Sequence, residues 1–335
     1  MTGITYHSTT TGLYPIPDGA KEALLTSKGR QRDDLIDGTE GPEIEEIYAD
    51  ARKALISWQQ EAALDRIVEG QARWDDMLGH PLAVHPAVET GGLRRYYDNN
   101  NFYRELTVTG PLTPVGDVAG ELGEAAQIVD SDDLQAVLPG PVSLFDLATD
   151  EQYGSDAAFL EGITNYLVAE IESLPVAATC LLLEPSLTER RCPVERGAAI
   201  DALEAVTEAV ATAGIRETII HSYWGSPSDD IYRDLLDLDG VGIGYDLITA
   251  AERSSTHLSE YGAPSTVLFG VVDSQNTRIE VPSEIIATAD EALVTEEIET
   301  VFLAPHAEGF YLPTNRFREK LQALGRAVDR PEVSA

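Results

Sequence analysis

The sequence predicts an α/β chain folded as a single (β/α)8 TIM barrel. Three observations predict it. Eight short β-rich runs alternate with helical patterns along 335 residues, a length that suits one such barrel. Polar residues gather where the runs end, and in a barrel those ends converge on one mouth. No Gly-x-Gly-x-x-Gly follows the first run, which removes the main cue for a doubly wound sheet.

In order, ITYHSTTTGLYP reads as a strand ending in a loop, and residues 43–64 as a long helix. DRIVEGQARW is the second strand. Residues 76–115 form an irregular insertion rich in Gly and Asn, within which 102–109 suits a hairpin arm. LQAVLPGPVSLF is the third strand and VAATCLLLEP the fourth, with an amphipathic helix over 157–174 between them. Residues 194–213 are helical, ETIIHSYWG is the fifth strand, and a short helix covers 229–236. VGIGYDLI, STVLFGVVD and TVFLAPH are the sixth to eighth strands, and a helix over 314–327 closes the chain. Apolar residues recurring at helical spacing turn the helices over 157–174 and 194–213 toward the core. One domain is expected over 1–328, with a frayed tail at 329–335.

Hydrophobic residues make up 43% of the chain, enough for a large core and too many for a disordered one. The formal net charge is −35, and the only lysines are Lys21, Lys28, Lys53 and Lys320. Such a field excludes nucleic acid and anionic membrane surfaces as partners. Acid excess with few lysines reads as a halophilic adaptation, because concentrated salt shortens the screening length to about 3 Å at 1 M. No apolar run is long enough for a membrane span, and the N-terminus lacks the basic and apolar segments of a secretory signal. Cys180 and Cys192 form no paired framework, which fits a reducing cytoplasm.

The strand tips carry the candidate chemistry. They are Gly70-Gln71-Ala72-Arg73-Trp74, Pro139-Gly140-Pro141, Glu184-Pro185, His221-Ser222-Tyr223-Trp224-Gly225, Tyr245-Asp246, Val272-Asp273 and Pro305-His306. His221 and His306 could share a metal at the mouth with Asp246 or Glu308, or His221 could be a structural or ligand-contacting histidine. Arg73, with Asp75 and Asp76 around Trp74, could clamp a flat polar ligand or form an ion pair beside a buried indole. Asp273 and Arg278 could contact a ligand or each other. A serine hydrolase would need a Gly-x-Ser-x-Gly elbow, and none occurs. His7, His80, His85 and His257 show no partner in sequence and read as surface or loop residues.

Read together, TTTGLYPIPD, EGQARWDDM, LPGPVSL, LLLEPSL, SYWG, LFGVVDSQNTR and FLAPHAEGFYLPTNRFREKL occur in an order that resembles the cobalamin-independent methionine synthase family, over roughly residues 5–325. The resemblance implies a (β/α)8 barrel and methyl transfer to homocysteine from 5-methyltetrahydrofolate, or from another carrier in some archaeal relatives. It also implies a zinc that binds the homocysteine sulfur as thiolate, lowering its pKa. Long members are tandem barrels of which only the C-terminal one carries zinc.

Several positions depart from the zinc barrel. Its His-x-Cys is His221-Ser222-Tyr223 here, and its later cysteine is Ala307. The sixth tip, Gly244-Tyr245-Asp246, offers no match for its ligating glutamate. Its Asp-Glu-Pro becomes Leu183-Glu184-Pro185, and its Gly-Ser becomes Gly12-Leu13. SYWG and GVVDSQNTR are closer to the Thr-Tyr-Phe-Gly and Gly-Val-Val-Asp of the zinc-free N-terminal barrel. The resemblance therefore implies a stand-alone barrel of that type, taking a folate-type donor and homocysteine beside a zinc-bearing homologous subunit. Gln71, Arg73, Trp74, Glu184, His221, Tyr223, Trp224, Asp246 and Asp273 are its expected substrate-binding residues, with no catalytic residue assigned. Zinc would fit only an atypical site of His, Asp and Glu ligands, harder and less thiophilic than a thiolate site. A complete methyltransferase using such a site, and a non-catalytic ligand-binding barrel, are the alternatives.

Overall fold

Runs such as TCLLL and VGIGYD are buried at every residue, as parallel strands covered on both faces must be. In the computed structural model, which describes residues 4–28, 41–74, 76–95, 102–189, 191–295 and 297–328, seven strands, most of them largely buried, form one parallel sheet. They are β1 (Thr5–Ser8), β4 (Gln135–Pro139), β6 (Thr179–Leu183), β7 (Glu217–His221), β8 (Val241–Asp246), β9 (Thr266–Val272) and β10 (Thr300–Pro305). Their order is β1-β10-β9-β8-β7-β6-β4.

The interval between the outer strands β1 and β4 is filled by residues 65–68. Asp65 N–H and Arg66 N–H donate to Ser8 O on one side, and Ile67 exchanges backbone bonds with Asp133 and Gln135 on the other. The expected second strand is thus a single parallel bridge, Ile67 to Leu134, at the eighth stave position. The reason lies in α2 (Pro42–Glu61). Its Gln59 side chain accepts from Val68 N–H (2.9 Å) and donates to Val68 O (2.7 Å), taking both groups a ladder would use. Beyond it, Gly70 and Gln71 have positive φ (100° and 53°), and the chain turns into a loop.

The third expected strand is also shorter than predicted. It stops at Pro139, and α5 (Pro141–Leu147) begins at once. Pro141 sits in its first turn, where a missing N–H costs nothing. The insertion contains a short helix α3 (His80–Ala83) and an antiparallel hairpin of β2 (Val88–Arg95) and β3 (Phe102–Val108). β3 also pairs in parallel with β5 (Ala148–Asp150). Tyr103, Leu106 and Val108 bury its inner face, while β2 is largely exposed.

Outer helices cover the sheet, among them α1 (Asp18–Lys28), α4 (Asp117–Ala125), α6 (Asp156–Glu172), α7 (Arg196–Thr212) and α8 (Asp229–Leu236), then α9 (Ala251–Tyr261), α10 (Pro282–Ala292) and α11 (Thr314–Val328). α7 shows why they dock. Ala199, Ala202, Leu203, Val206 and Val210 fall on one face and are all buried, each large one contributing about 1.5–3 kcal/mol. Ser155 and Ser228 accept from Ala158 and Ile231 N–H, capping α6 and α8. The expected frayed tail lies outside the described residues.

Candidate functional site

The fifth tip is built by backbone strain and one carboxylate. Trp224 has φ 63°, in the left-handed region. Asp246, at the end of the neighbouring β8, holds it there by accepting Trp224 N–H (3.1 Å). The same carboxylate accepts Ile248 N–H (2.9 Å), Thr249 N–H (2.7 Å) and the Thr249 hydroxyl. His221 and Tyr223 are fully buried. His221 Nε2 donates to His306 O (3.1 Å), and its ring packs so closely on Gly244 that a Cβ there would lie 2.5 Å from Nδ1. Burial lowers the His221 pKa against the opposing pull of Asp246, so the ring is neutral near pH 7.

His306, on the last strand tip, is placed differently. Its Nδ1 accepts Ser274 N–H (3.3 Å), while its Nε2 is buried with no hydrogen-bond partner among the described residues. The ring stands edge-on to Trp224, with centroids 5.3 Å apart at 87°. Four expected site residues, His221, Tyr223, Trp224 and Asp246, thus form one aromatic and polar cluster, which His306 completes. Glu308 lies just beyond, also buried, and burial pushes its carboxyl up to about 7.

Gln71, Arg73 and Trp74 occupy a second corner. Gln71 Oε1 accepts Leu13 N–H (2.7 Å) and its Nε2 donates to Val137 O (3.3 Å), tying three stave ends together. Arg73 reaches α4, to Asp117 (3.1 Å) and Glu121 (3.2 Å). Asp76 accepts the N–H groups of Leu78, Gly79 and Arg104, which fix the start of the insertion; Asp75 lies outside the described residues. Trp74 stacks on His80 at 4.8 Å and 13°, and His80 Nε2 bonds Asp117 (2.9 Å). Burial pushes the Asp117 carboxyl up, but His80 and Arg73 together hold it below the usual range.

Behind this corner lies a small cavity of about 10 Å³, room for about one water, lined by Glu69, Gln71, Trp74, Glu121 and Gln135 among others. Glu69 is buried there, and burial with the Glu121 charge raises its pKa well above the carboxylate range despite Arg52. Glu69 Oε2, Arg52 Nε, Trp74 Nε1 and His80 Nδ1 are buried without a hydrogen-bond partner among the described residues, the first two facing each other as an ion pair at 4.0 Å. Sequence patterning gives no sign of Glu69 or His80. Their companions come from α2 and α4, far away in the chain.

Glu184 has the opposite surroundings. Its carboxylate accepts Val142 N–H (2.9 Å), Ser143 N–H (2.8 Å) and the Ser143 hydroxyl (2.6 Å), closing the N-terminus of α5. Burial nonetheless pushes its pKa up to about 7. Gly140 is obligatory here, since a Cβ would collide with that carboxylate. Asp273 stands at the rim and accepts Gln275 N–H (2.9 Å). Arg278 pairs with Glu284 (2.7 Å), not with Asp273.

The histidines expected at the surface are mostly interior. His80, His85 and His257 are buried and His7 is half-buried. His85 Nε2 lies 2.9 Å from Thr113 O. His257 stacks on Tyr232 at 4.2 Å and lies 3.2 Å from both Ser226 Oγ and Asp229 Oδ1. That Ser-His-Asp chain lacks a main feature of an acyl-transfer site. Pro227 follows the serine, so the backbone N–H that would stabilise an oxyanion from that position does not exist.

The zinc implied by the resemblance does not fit these residues. Tyr223 and Ala307 supply no thiolate, and His221 Nε2 is committed to a carbonyl. Among the described residues no group of three His, Cys, Asp or Glu side chains could hold a metal ion. Cys180 is buried within β6, where burial pushes its thiol up to about 12.

Comparison with known proteins places this architecture. The chain is 23% identical over 331 residues to a methionine synthase of Saccharolobus islandicus, covering 97% of this chain and 95% of that one. It is 25% identical over 309 residues to a 5-methyltetrahydropteroyltriglutamate–homocysteine methyltransferase of Streptomyces griseus, of which it spans only 38%. Its fold is similar to that of a B12-independent methionine synthase from a Shewanella species, solved with selenomethionine (TM-score 0.78, 18% identity, 98% and 97% of the two chains). Residues 8–332 match the family described as the cobalamin-independent synthase catalytic domain. The chain therefore belongs to the cobalamin-independent synthase family.

Proposed function

We propose that this chain serves methionine biosynthesis by methyl transfer to homocysteine, as a zinc-free barrel working with a zinc-bearing homologous barrel. The observation that carries the proposal is a contrast. Family membership spans residues 8–332, yet the positions that match the zinc barrel's thiolates hold Tyr223 and Ala307. A zinc ion activates a thiol by binding its sulfur as thiolate, and among the described residues no matching donor set occurs. What its residues supply is a set of buried, oriented polar and aromatic groups, among them His221, Tyr223, Asp246 and His306. The methyl donor is read as a reduced folate, and its carrier is left to experiment.

The test is reconstitution. Methyl transfer from 5-methyltetrahydrofolate to homocysteine is measured with this chain alone, with a zinc-bearing homologue alone, and with both. The expected result is a rate with both that exceeds the sum of the separate rates. A rate indifferent to this chain would overturn the proposal.

A further inference from the structure

The insertion carries a strand edge that the barrel leaves open. Its small sheet runs β2-β3-β5, so β2 pairs with β3 on one side and, among the described residues, with no strand on the other. Residues 89–95 are all exposed, Leu93 at 62%. Ala87 O accepts Thr109 N–H (2.9 Å) at the start of the hairpin. Backbone groups alternate in direction along an antiparallel strand. Ala87 and Glu89 therefore point theirs at β3, while Val88 and Thr90 point theirs outward. There Val88 N–H donates to His85 O (3.0 Å) of the preceding turn.

A bulge decides what can pair with this edge. Thr90 lies opposite Leu106 but Leu93 opposite Arg104, so β2 holds one extra residue between them. The extra residue shifts the alternation, and beyond it Leu93 and Arg95 face outward. Arg104 N–H turns away from β2 to Asp76 (3.2 Å), which fits that phase. A regular strand cannot follow such an edge, and bulges commonly guard edges for that reason. A second copy of the chain carries the same extra residue in the same place. Let the two β2 strands run antiparallel, with a two-fold axis between Gly91 and Gly92. Thr90 then meets the partner's Leu93 and Val88 meets the partner's Arg95, outward groups against outward groups. The same register sets Glu89 against the partner's Arg94 on both sides of the axis. Within one copy Glu89 and Arg94 share a face of the sheet, opposite Thr107 and Tyr103. β2 also holds one acid and two arginines in a chain of net charge −35, so two such chains can meet there with little repulsion.

We propose that β2 is a self-association edge, pairing with β2 of a second copy of this chain. Two three-stranded sheets join across a two-fold axis into one continuous sheet, ordered β5-β3-β2-β2-β3-β5. The seam covers Leu93 and is crossed by two Glu89–Arg94 ion pairs. An edge of eight residues is a small interface, so the dimer is weak and depends on concentration. The inference stands apart from the proposed reaction, because it uses no residue of the barrel mouth.

The experiment is sedimentation velocity of the full chain over a concentration series at one fixed salt concentration. Wild type is expected to pass from monomer to dimer as concentration rises. Thr90→Pro removes an outward N–H and leaves the β2–β3 ladder intact, so it should fold as wild type does, by circular dichroism and urea midpoint, and stay monomeric. Arg94→Glu and Glu89→Arg each turn two attractive pairs into two repulsive ones, and about tenfold weaker dimerisation is expected of either. The double variant Glu89→Arg/Arg94→Glu restores the attraction and should dimerise as wild type does. A wild type that stays monomeric throughout overturns the inference. So does a dimer indifferent to Thr90→Pro, or a double variant no tighter than the single ones. A monomeric chain whose β2 variants impair only the reconstituted methyl transfer would also overturn it, and would give the edge to the zinc-bearing barrel instead.

Discussion

Two buried glutamates flank the mouth, and their surroundings contrast. Glu184 lies in a finished corner, where two backbone N–H groups and a hydroxyl fill its acceptor sites. Glu69 lies in an unfinished one. Its Oε2 stands 4.0 Å from Arg52 Nε, too far for a hydrogen bond, with two further unmatched polar atoms close in the chain fold. The first corner spends its polar atoms on holding α5. The second keeps some in reserve around a cavity. A buried polar group without a partner is a standing cost, so the second corner is held less completely by hydrogen bonds than the first.

The sharpest way to break that comparison is Glu184→Gln. The amide keeps one acceptor oxygen, so its NH2 would face either the Val142 N–H or the Ser143 N–H, donor against donor. A loss of about 2 kcal/mol is expected, read from the urea midpoint at constant salt. A smaller loss than that of Glu69→Gln would reverse the assignment of the two corners.

Glu69→Gln should cost less and change the pH dependence instead. The Glu69 pKa is raised on folding by burial and by Glu121, so the folded state holds its proton more tightly than the unfolded one. The stability this contributes is complete below the ordinary carboxylate pKa and is lost as pH rises toward the raised value. Wild type should therefore weaken between about pH 5 and pH 8, and Glu69→Gln should flatten that slope. Parallel midpoint-versus-pH curves would refute it.

The smallest effect is expected for Trp74→Phe. The ring still stacks on His80, and the indole N–H it removes has no partner to lose. A change within about 1 kcal/mol should appear in the same urea titration. A larger loss would mean that the N–H is satisfied in solution.

Barrel and helix patterning were legible because they depend on local spacing. Buried runs such as VFLAP and the 199–210 stripe announce their elements directly. The second strand misled because its apolar residues are real but its hydrogen bonds go to Gln59, nine residues before Val68. LPGPVSLF misled because Pro141 starts a helix as readily as it ends a strand. At the mouth, the tips carrying His221, Tyr223, Trp224 and Asp246 were visible as tips, and the structure brings them together. The partners of Arg73 were not visible, since Asp117 and Glu121 follow a long insertion. Nor does any sequence pattern show which ring nitrogen of His221 or His306 meets a backbone group.

The Gln59 side chain that stands in for a strand neighbour has a mechanical meaning. Elsewhere the barrel's seams run over four to six paired residues. At the second stave four backbone bonds join residues 65–68 to their neighbours, and side chains do the rest: Asp65 accepts from Ser8 and the Gln71 amide ties Leu13 to Val137. That joint adjoins Glu69 and the small cavity, so the stave with the fewest ladder bonds is also the one beside the corner with unmatched polar atoms.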